Sequence, residues 1–447
     1  MADPCDIGRL RSLVARADAT PGVPAEDVQM ARERLAVEEE RAEVLQELGH
    51  LVRAADERDM GSFADVRMAA VGLADALLHA RAKGCPEAAL RDADLVRKRL
   101  HNVAEDLRGA IRVVCRIRPL SQKERDAADP EVVRALDATT LEVLTSSVTR
   151  PSERYSFDAV FFPGTQEEIF EDCRRLVRSA LDGYNVSLFA YGQTGAGKTH
   201  TMYGQPGGLE GTAPRTVEEL YRLIGQDESR FDHRVTASLL ELYKNELVDL
   251  LADRSVSVPG RRLSVRVDKN TQVSIDGLSE QVCASAADLL RLLERGAQAR
   301  RVACTAMNSQ SSRSHLVLWV RVARTDKASG ECALGKIAMC DLAGSERLKK
   351  SFAVGEAEKE AIEINKSLTA VGDVIEALTT RQRHVPYKNH KLTQVLQDAL
   401  GGTSKTLIFV NCSPAASNFE ETVNALKYAT RVKHISPKSA GGPPRRP

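Results

Sequence analysis

The run Val186-Ser-Leu-Phe-Ala-Tyr191, continued by Gly192-Gln-Thr-Gly-Ala-Gly-Lys-Thr-His-Thr-Met202, decides the fold of this chain. The first part reads as a buried strand. The second matches Gly192-x-x-x-x-Gly197-Lys198-Thr199, and from there the pattern turns helical. A strand before and a helix after are the context in which this motif cradles phosphate. Across Gly192, Gln193, Thr194, Gly195, Ala196 and Gly197, small residues let successive backbone N–H groups close around a β-phosphate. Lys198 then neutralises the β and γ oxygens, Thr199 offers a hydroxyl to Mg²⁺, and the helix start adds a positive dipole end.

Two downstream segments extend the motif into a machine driven by nucleotide. One is Asn308-Ser-Gln-Ser-Ser-Arg-Ser-His315, followed by the strand-like Leu316-Val-Leu-Trp-Val320. The other is Lys336-Ile-Ala-Met-Cys-Asp-Leu-Ala-Gly-Ser-Glu346. Asp341, at the end of a strand, supplies a carboxylate behind Mg²⁺, and Gly344 offers a backbone N–H to a γ-phosphate. Cradle, metal, charge and a positioned water are what phosphoryl transfer needs. Arg313 and Glu346 are opposite charges suited to pairing across a closed site. Serine-rich turns alone are common, but the three segments in this order are specific.

Taken together, the segments resemble the motor domain of the kinesin superfamily, over about residues 109–433. Myosins share the three-part logic, but carry Glu-Ser where this chain has Gln193-Thr194 and lack Ala-Gly-Ser-Glu after the strand. The resemblance implies a microtubule-stimulated ATPase with ATP and Mg²⁺ as its cofactors. Cys115-Arg116-Ile-Arg118-Pro119 looks like the family's adenine-side motif, with Arg116 and Pro119 flanking the base and His200 stacking on it. It further implies that Ser311 lies near the γ-phosphate and Ser312 near Mg²⁺, and that Arg313 latches to Glu346 when ATP is bound.

The same resemblance implies a track-binding side. Ile364, Leu368, Val371 and Ile375 share one helical stripe, as in any amphipathic core helix. By resemblance this is the relay helix that lies on tubulin, with Asn365 at its coupling end and Lys366 among its microtubule-binding residues. His384-Val-Pro-Tyr-Lys-Asn-His-Lys-Leu-Thr393 matches the second microtubule-contacting segment, in which Lys388 and Lys391 are expected to be free to meet an acidic surface. Lys349 and Lys350 add charge in the loop after Glu346. Short basic runs are ordinarily solvated faces, and only their clustering around the sensing loop favours tubulin here. Phe352 stands where the family more usually has Gly.

Composition sets limits. The chain has 447 residues, enough for one large domain and an appendage, and 63 Lys+Arg balance 62 Asp+Glu. No global basic charge points to nucleic acid, so local patches must carry any binding to tubulin, and that binding should be salt-sensitive. The nine cysteines form no Cys-x-x-Cys. Cys115, Cys340 and Cys412 fall in strand-like runs as small hydrophobes, which fits a reducing, cytoplasmic setting and no structural zinc. No run is apolar and long enough to span a bilayer.

Residues 1–86 are rich in Ala, Arg and Glu and read as helices broken at Pro21–Pro24, Met60-Gly61-Ser62 and Gly84-Cys-Pro86. Gly22-Val-Pro24 and Gly84-Cys-Pro86 look like one helix-start device used twice, hence a degenerate repeat of helical hairpins. Glu38-Glu-Glu-Arg41 reads as a solvated face. Over 87–108, Ala89, Ala93, Val96, Leu100, Val103 and Leu107 alternate by four and three. That is a short coiled-coil seam of marginal length for a homodimer, or a face packed on the chain's own N-terminal helices. Arg97–Gly109 resembles the neck of C-terminal-motor, minus-end-directed kinesins. Glu241-Leu-Tyr243 and Tyr387-Lys-Asn-His-Lys391 resemble the plant calmodulin-binding subgroup, whose regulatory helix the tail 434–447, with Gly441-Gly-Pro-Pro444, cannot form.

Strand-like runs at 111–117, 184–190, 235–242, 315–322, 336–342 and 405–411 alternate with helical stretches. The expected fold is α/β: a central, mostly β sheet flanked by helices, preceded by an all-helical region, with ATP at the carboxyl ends of strands. A non-stepping tether of the same fold is the second functional reading. Intact Lys198, Thr199, Ser312, Asp341 and Glu346, which a tether has no need of, weigh against it.

Overall fold

The computed structural model describes residues 7–57, 63–107, 111–144, 152–252, 263–269, 272–305, 313–346, 356–400 and 404–435. The six strand-like runs become Ile111–Ile117, Asn185–Tyr191, Phe231–Tyr243, His315–Asp326, Cys332–Asp341 and Lys405–Cys412, all members of one nine-stranded sheet. Its order in space is Glu246–Asp249, Phe231–Tyr243, His315–Asp326, Cys332–Asp341, Asn185–Tyr191, Lys405–Cys412, Ile111–Ile117, Ala159–Phe161, with Gln281–Cys283 paired to Phe231–Tyr243.

Two pairing modes meet in this sheet. From Cys332–Asp341 through Asn185–Tyr191, Lys405–Cys412 and Ile111–Ile117 to Ala159–Phe161 the strands are parallel. The other side is antiparallel, with Leu316 opposite Asp341 and His315 opposite Leu242. The phosphate-loop strand lies inside the parallel block and is buried throughout, as expected of a strand covered on both faces. Its polar members are satisfied in place: Ser187 meets Ser404 at 3.0 Å and Asn185 donates to Gln272 at 2.9 Å.

Each face of the sheet has its own core. Helices Gln166–Leu181, Thr212–Asp227 and Ala286–Thr305 cover one, through Ile169, Leu176, Val217, Leu220 and Leu289. Helices Glu356–Thr379 and Phe419–Lys433 cover the other, through Leu368, Val371, Ile375, Leu426 and Val432. The stripe expected in Glu356–Thr379 is thus a core stripe. Leu368, Val371 and Ile375 are buried and Ile364 is half-buried.

Contacts divide the chain into two compact units, Met1–Arg108 and Gly109–Pro447. The first holds α1 (Ile7–Ala19), α2 (Ala25–Glu57), α3 (Phe63–Ala82) and α4 (Glu87–Leu107). α2 and α4 begin directly after Pro24 and Pro86, whose carbonyls accept from Asp27 and Ala89 at 3.1 and 2.9 Å. Gly84 ends α3 at φ +69°, and a Cβ there would lie 2.6 Å from Arg41 Nη2.

The structure changes the reading of two segments of this unit. Glu38–Arg41 is only partly a solvated face, because it also ties three helices together. Glu39 accepts from Arg11 of α1 at 2.5 Å, Arg41 donates to the Lys83 carbonyl beyond α3 at 2.9 Å, and Glu40 pairs with Lys83. In α4 the buried line is Leu90, Ala93, Arg97, Leu100 and Ala104, packed with Leu73 and Leu77 of α3 and Leu48 of α2. Of the expected seam, Ala93 and Leu100 are buried, Val96 is half-buried, and Ala89 and Val103 are exposed. Arg97 pairs in this core with Asp94, at 3.2 Å.

Candidate nucleotide site

The phosphate loop turns sharply as it leaves its strand. Gly192 sits at φ +145°, and a Cβ there would lie 2.3 Å from the Asn411 carbonyl oxygen of the neighbouring strand. Gly195 and Gly197 also have positive φ, which L side chains rarely adopt. Lys198 is buried, and its ammonium donates to the Gln193 carbonyl at 3.0 Å, across the mouth of the loop. Thr199 Oγ1 donates to Asp341 Oδ2 at 2.8 Å. These are hard oxygen donors of the kind Mg²⁺ takes, typically with most remaining positions filled by phosphate and water. Among the described residues no group of three or more His, Cys, Asp or Glu could hold a metal by itself.

The segment after Asp341 folds back over the loop. Leu342 N–H donates to Ala190 and Ser345 N–H to Gly192, each at 3.2 Å. Glu346 accepts from Thr194 twice, from N–H at 2.8 Å and from Oγ1 at 2.5 Å. A Cβ on Gly344 would lie 2.2 Å from a Glu346 carboxylate oxygen and 2.3 Å from Thr194 Oγ1, so a larger residue there would have to displace the Glu346–Thr194 contact. In this arrangement Glu346 is held by the phosphate loop. Ser311 and Ser312 lie outside the described residues, whereas Arg313 is half-buried at the edge of that gap.

Beside the loop is a cavity of about 460 Å³ whose wall includes Arg116, Arg118, Pro119, Ala196, Gly197 and His200, within the size range of small-ligand sites. Arg116 is buried and fully engaged, donating to Gln166 and Thr201 at 2.9 Å and to the Gly164 carbonyl at 3.0 Å. Burial lowers its pKa to about 10, still cationic at neutral pH. His200 is pushed below its usual value, first by burial and then by Arg116, which keeps its ring neutral. A neutral ring beside Pro119 suits stacking on a base.

Arg118 lines the same cavity and also braces the phosphate loop. Its Nε donates to the Gly195 carbonyl at 2.8 Å, and both terminal nitrogens grip Glu124 at 2.7 Å. Glu124 also accepts from Asn418, which in turn accepts from Gln193 at 2.7 Å. The Arg118 fork and the Ser121 cap hold the Glu124 carboxyl down to about 2. Glu124, Asn418, Gln166 and Thr201 were missed at the level of sequence. Ser121-x-x-Glu124 could have been read as a capping box, which it is. Asn418 lies 294 positions from Glu124, and no local pattern marks it.

Of the residues expected to face a track, Asn365 lines a second cavity of about 820 Å³ together with Ser345 and Tyr428. Lys366 is exposed and paired with Glu363 at 2.5 Å. Lys388 is exposed. Lys391 departs from expectation: its ammonium pairs with Glu246 at 3.0 Å, and its amide donates to Asn245 at 3.0 Å. Lys349, Lys350 and Phe352 lie outside the described residues, as do Gly109 and the tail from 436.

A glycine cradle with a buried lysine, a hydroxyl–carboxylate pair for a divalent cation, and a second loop bonded back onto the cradle define a nucleoside-triphosphate-binding protein of the P-loop class. The family model "Kinesin motor domain" matches residues 116–435; the chain belongs to the kinesin motor family. It is 44% identical over 359 residues to "Kinesin-like protein KIN-14E" of Arabidopsis thaliana, covering 78% of this chain and 28% of that protein. It is also 44% identical over 362 residues to "Kinesin-like protein KIN-14I" of Oryza sativa subsp. japonica, with the same shares covered. A solved chain described as "Structure of a fast kinesin: Implications for ATPase mechanism and interactions with microtubules" matches with TM-score 0.68 and 38% identity. That match covers 74% of this chain and 93% of the solved one. The chain thus spans under a third of the length of these curated relatives.

Proposed function

We propose that the chain is a microtubule-dependent ATPase motor, minus-end-directed, that moves or crosslinks microtubules in the cytoplasmic cytoskeleton. The observation that carries this reading is the closure of Leu342–Glu346 onto the phosphate loop. A loop that donates to Gly192 and accepts from Thr194 must change its bonds when a γ-phosphate enters or leaves. In the proposed cycle Lys198 binds the β and γ oxygens, and Thr199 holds Mg²⁺ with Asp341 behind it. The Gly344 amide reports the γ-phosphate. Ser311 and Ser312 close from the other side, and Glu346 exchanges Thr194 for Arg313 in the closed state. Mg²⁺, when bound, neutralises charge developing on the phosphates.

For the track we propose helix Glu356–Thr379, with Asn365 and Lys366, together with Lys388, Lys391, Lys349 and Lys350. Direction rests on the layout, a neck-like helix ahead of the first motor strand, and on the class of the relatives. Surface-tethered molecules should glide polarity-marked microtubules with plus ends leading. Gliding with minus ends leading would refute the direction. ATP-dependent binding without any gliding or microtubule-stimulated turnover would favour the tether.

A further inference from the structure

One backbone amide in Leu342–Glu346 bonds in the opposite direction from its neighbours. Leu342 and Ser345 donate to Ala190 and Gly192, on the nucleotide side, whereas Ala343 N–H donates to Nδ1 of His315 at 3.1 Å. His315 is 3% exposed and opens the strand His315–Asp326, where pairing opposite Leu242 fixes its backbone. The preceding residue is fixed as well, Ser314 donating to Glu241 at 2.5 Å.

The chemistry of the ring leaves one arrangement. A peptide N–H only donates, so Nδ1 is unprotonated and the neutral imidazole carries its hydrogen on Nε2. Nε2–H lies 2.8 Å from Oγ of Ser367, and that hydroxyl donates to the Ile364 carbonyl at 2.6 Å. Ser367 is 2% exposed, which leaves no place for water to replace either bond. The series from Ala343 through His315 and Ser367 to Ile364 is polarised one way throughout. It runs from the loop that closes on the phosphate cradle to the turn of Glu356–Thr379 that also carries Asn365. A buried donor stranded by a shift of one member costs more than the bond contributes when made, so the loop and the helix turn move together or not at all.

We propose that His315 and Ser367 are positioning residues that transmit movement of the γ-phosphate-sensing loop into helix Glu356–Thr379. The proposal rests on that helix contacting the track. Neither side chain lines the cavity beside the phosphate loop, so Ser367→Ala should leave basal ATPase and the KM for ATP unchanged. Microtubule-stimulated kcat should fall about tenfold or more, within the usual range of coupling between sites. The difference in microtubule affinity between ADP and a non-hydrolysable ATP analogue should shrink to about twofold or less. His315→Ala should lose the same coupling, and the double variant should lose no more than either single one, because both act through one bond.

Basal and stimulated rates falling in equal proportion would show a merely structural role and overturn the proposal, as would wild-type coupling in Ser367→Ala. A wild-type chain whose microtubule affinity ignores nucleotide would remove the track reading and the proposal with it. Wild-type coupling that survives the serine change removes the proposal alone.

Discussion

Gly344 and Glu346 show how little room the nucleotide site leaves. A methyl group at 344 would overlap both Glu346 and Thr194, so Gly344→Ala should keep ATP binding while preventing closure and lowering turnover. Glu346→Ala removes both bonds to Thr194 and the expected partner of Arg313. Turnover should fall about a hundredfold, the scale of a misplaced reacting group, with ATP affinity nearly unchanged. Microtubule-stimulated phosphate release would show this, and wild-type-like turnover would remove Glu346 from the mechanism. Lys198→Ala should instead weaken ATP binding itself.

Glu124 carries a pH signature. Its carboxyl falls from 4.5 to about 2 because Arg118 and the Ser121 cap favour the ionised form. A depressed acid contributes stability that is complete above its unfolded value near 4.5 and lost as pH falls through about 2. Glu124→Gln should therefore flatten the acid-unfolding profile within that window. It should also raise the KM for ATP, since Arg118 would lose the anion that holds it on Gly195. An unchanged profile below 4.5 would show that Glu124 is not the group titrating.

At the scale of elements, α4 separates two readings of one pattern. If it packs on α2 and α3, Leu90→Ala should cost about 2–5 kcal/mol in the N-terminal unit, while Val103→Ala, at an exposed site, should cost little. A coiled-coil seam would reverse that order, since Val103 belongs to the seam and Leu90 does not. Thermal unfolding of the two variants distinguishes them. The lysines proposed for the track should act as a set, because exposed charges are each worth under about 1 kcal/mol. Reversing Lys349, Lys350, Lys388 and Lys391 together should weaken microtubule co-sedimentation, more so at low salt. Lys391 should contribute least, because Glu246 already satisfies it.

For the whole molecule, burial of Ala93 and Leu100 within one chain's helices has a consequence for assembly. The Ala93–Leu100 face of α4 can meet a second copy only by leaving α2 and α3. The chain should therefore sediment as a monomer at micromolar concentration and glide microtubules only as a team of surface-bound molecules. A stable dimer in sedimentation would mean that α4 opens, or that an exposed face joins the copies.

The nucleotide half of this protein was legible in its sequence because its chemistry is local. A phosphate cradle needs glycines, a lysine and a hydroxyl at fixed offsets on one turn, and the strands around it are continuous apolar runs of the length the sheet uses. Alternation of strands and helices carried the fold class for the same reason. What only tertiary structure decided joins residues far apart in the chain. Arg118 braces the phosphate loop through Glu124 and Asn418, Lys391 spends its charge on Glu246, and His315 spans from Ala343 to Ser367. α4 is the plainest case, since a four-three apolar spacing states only that a helix has a face to bury. Whether α2 and α3 or a second chain covers it depends on which is nearer once folded, and α2 and α3, tethered in the same chain, cover it here.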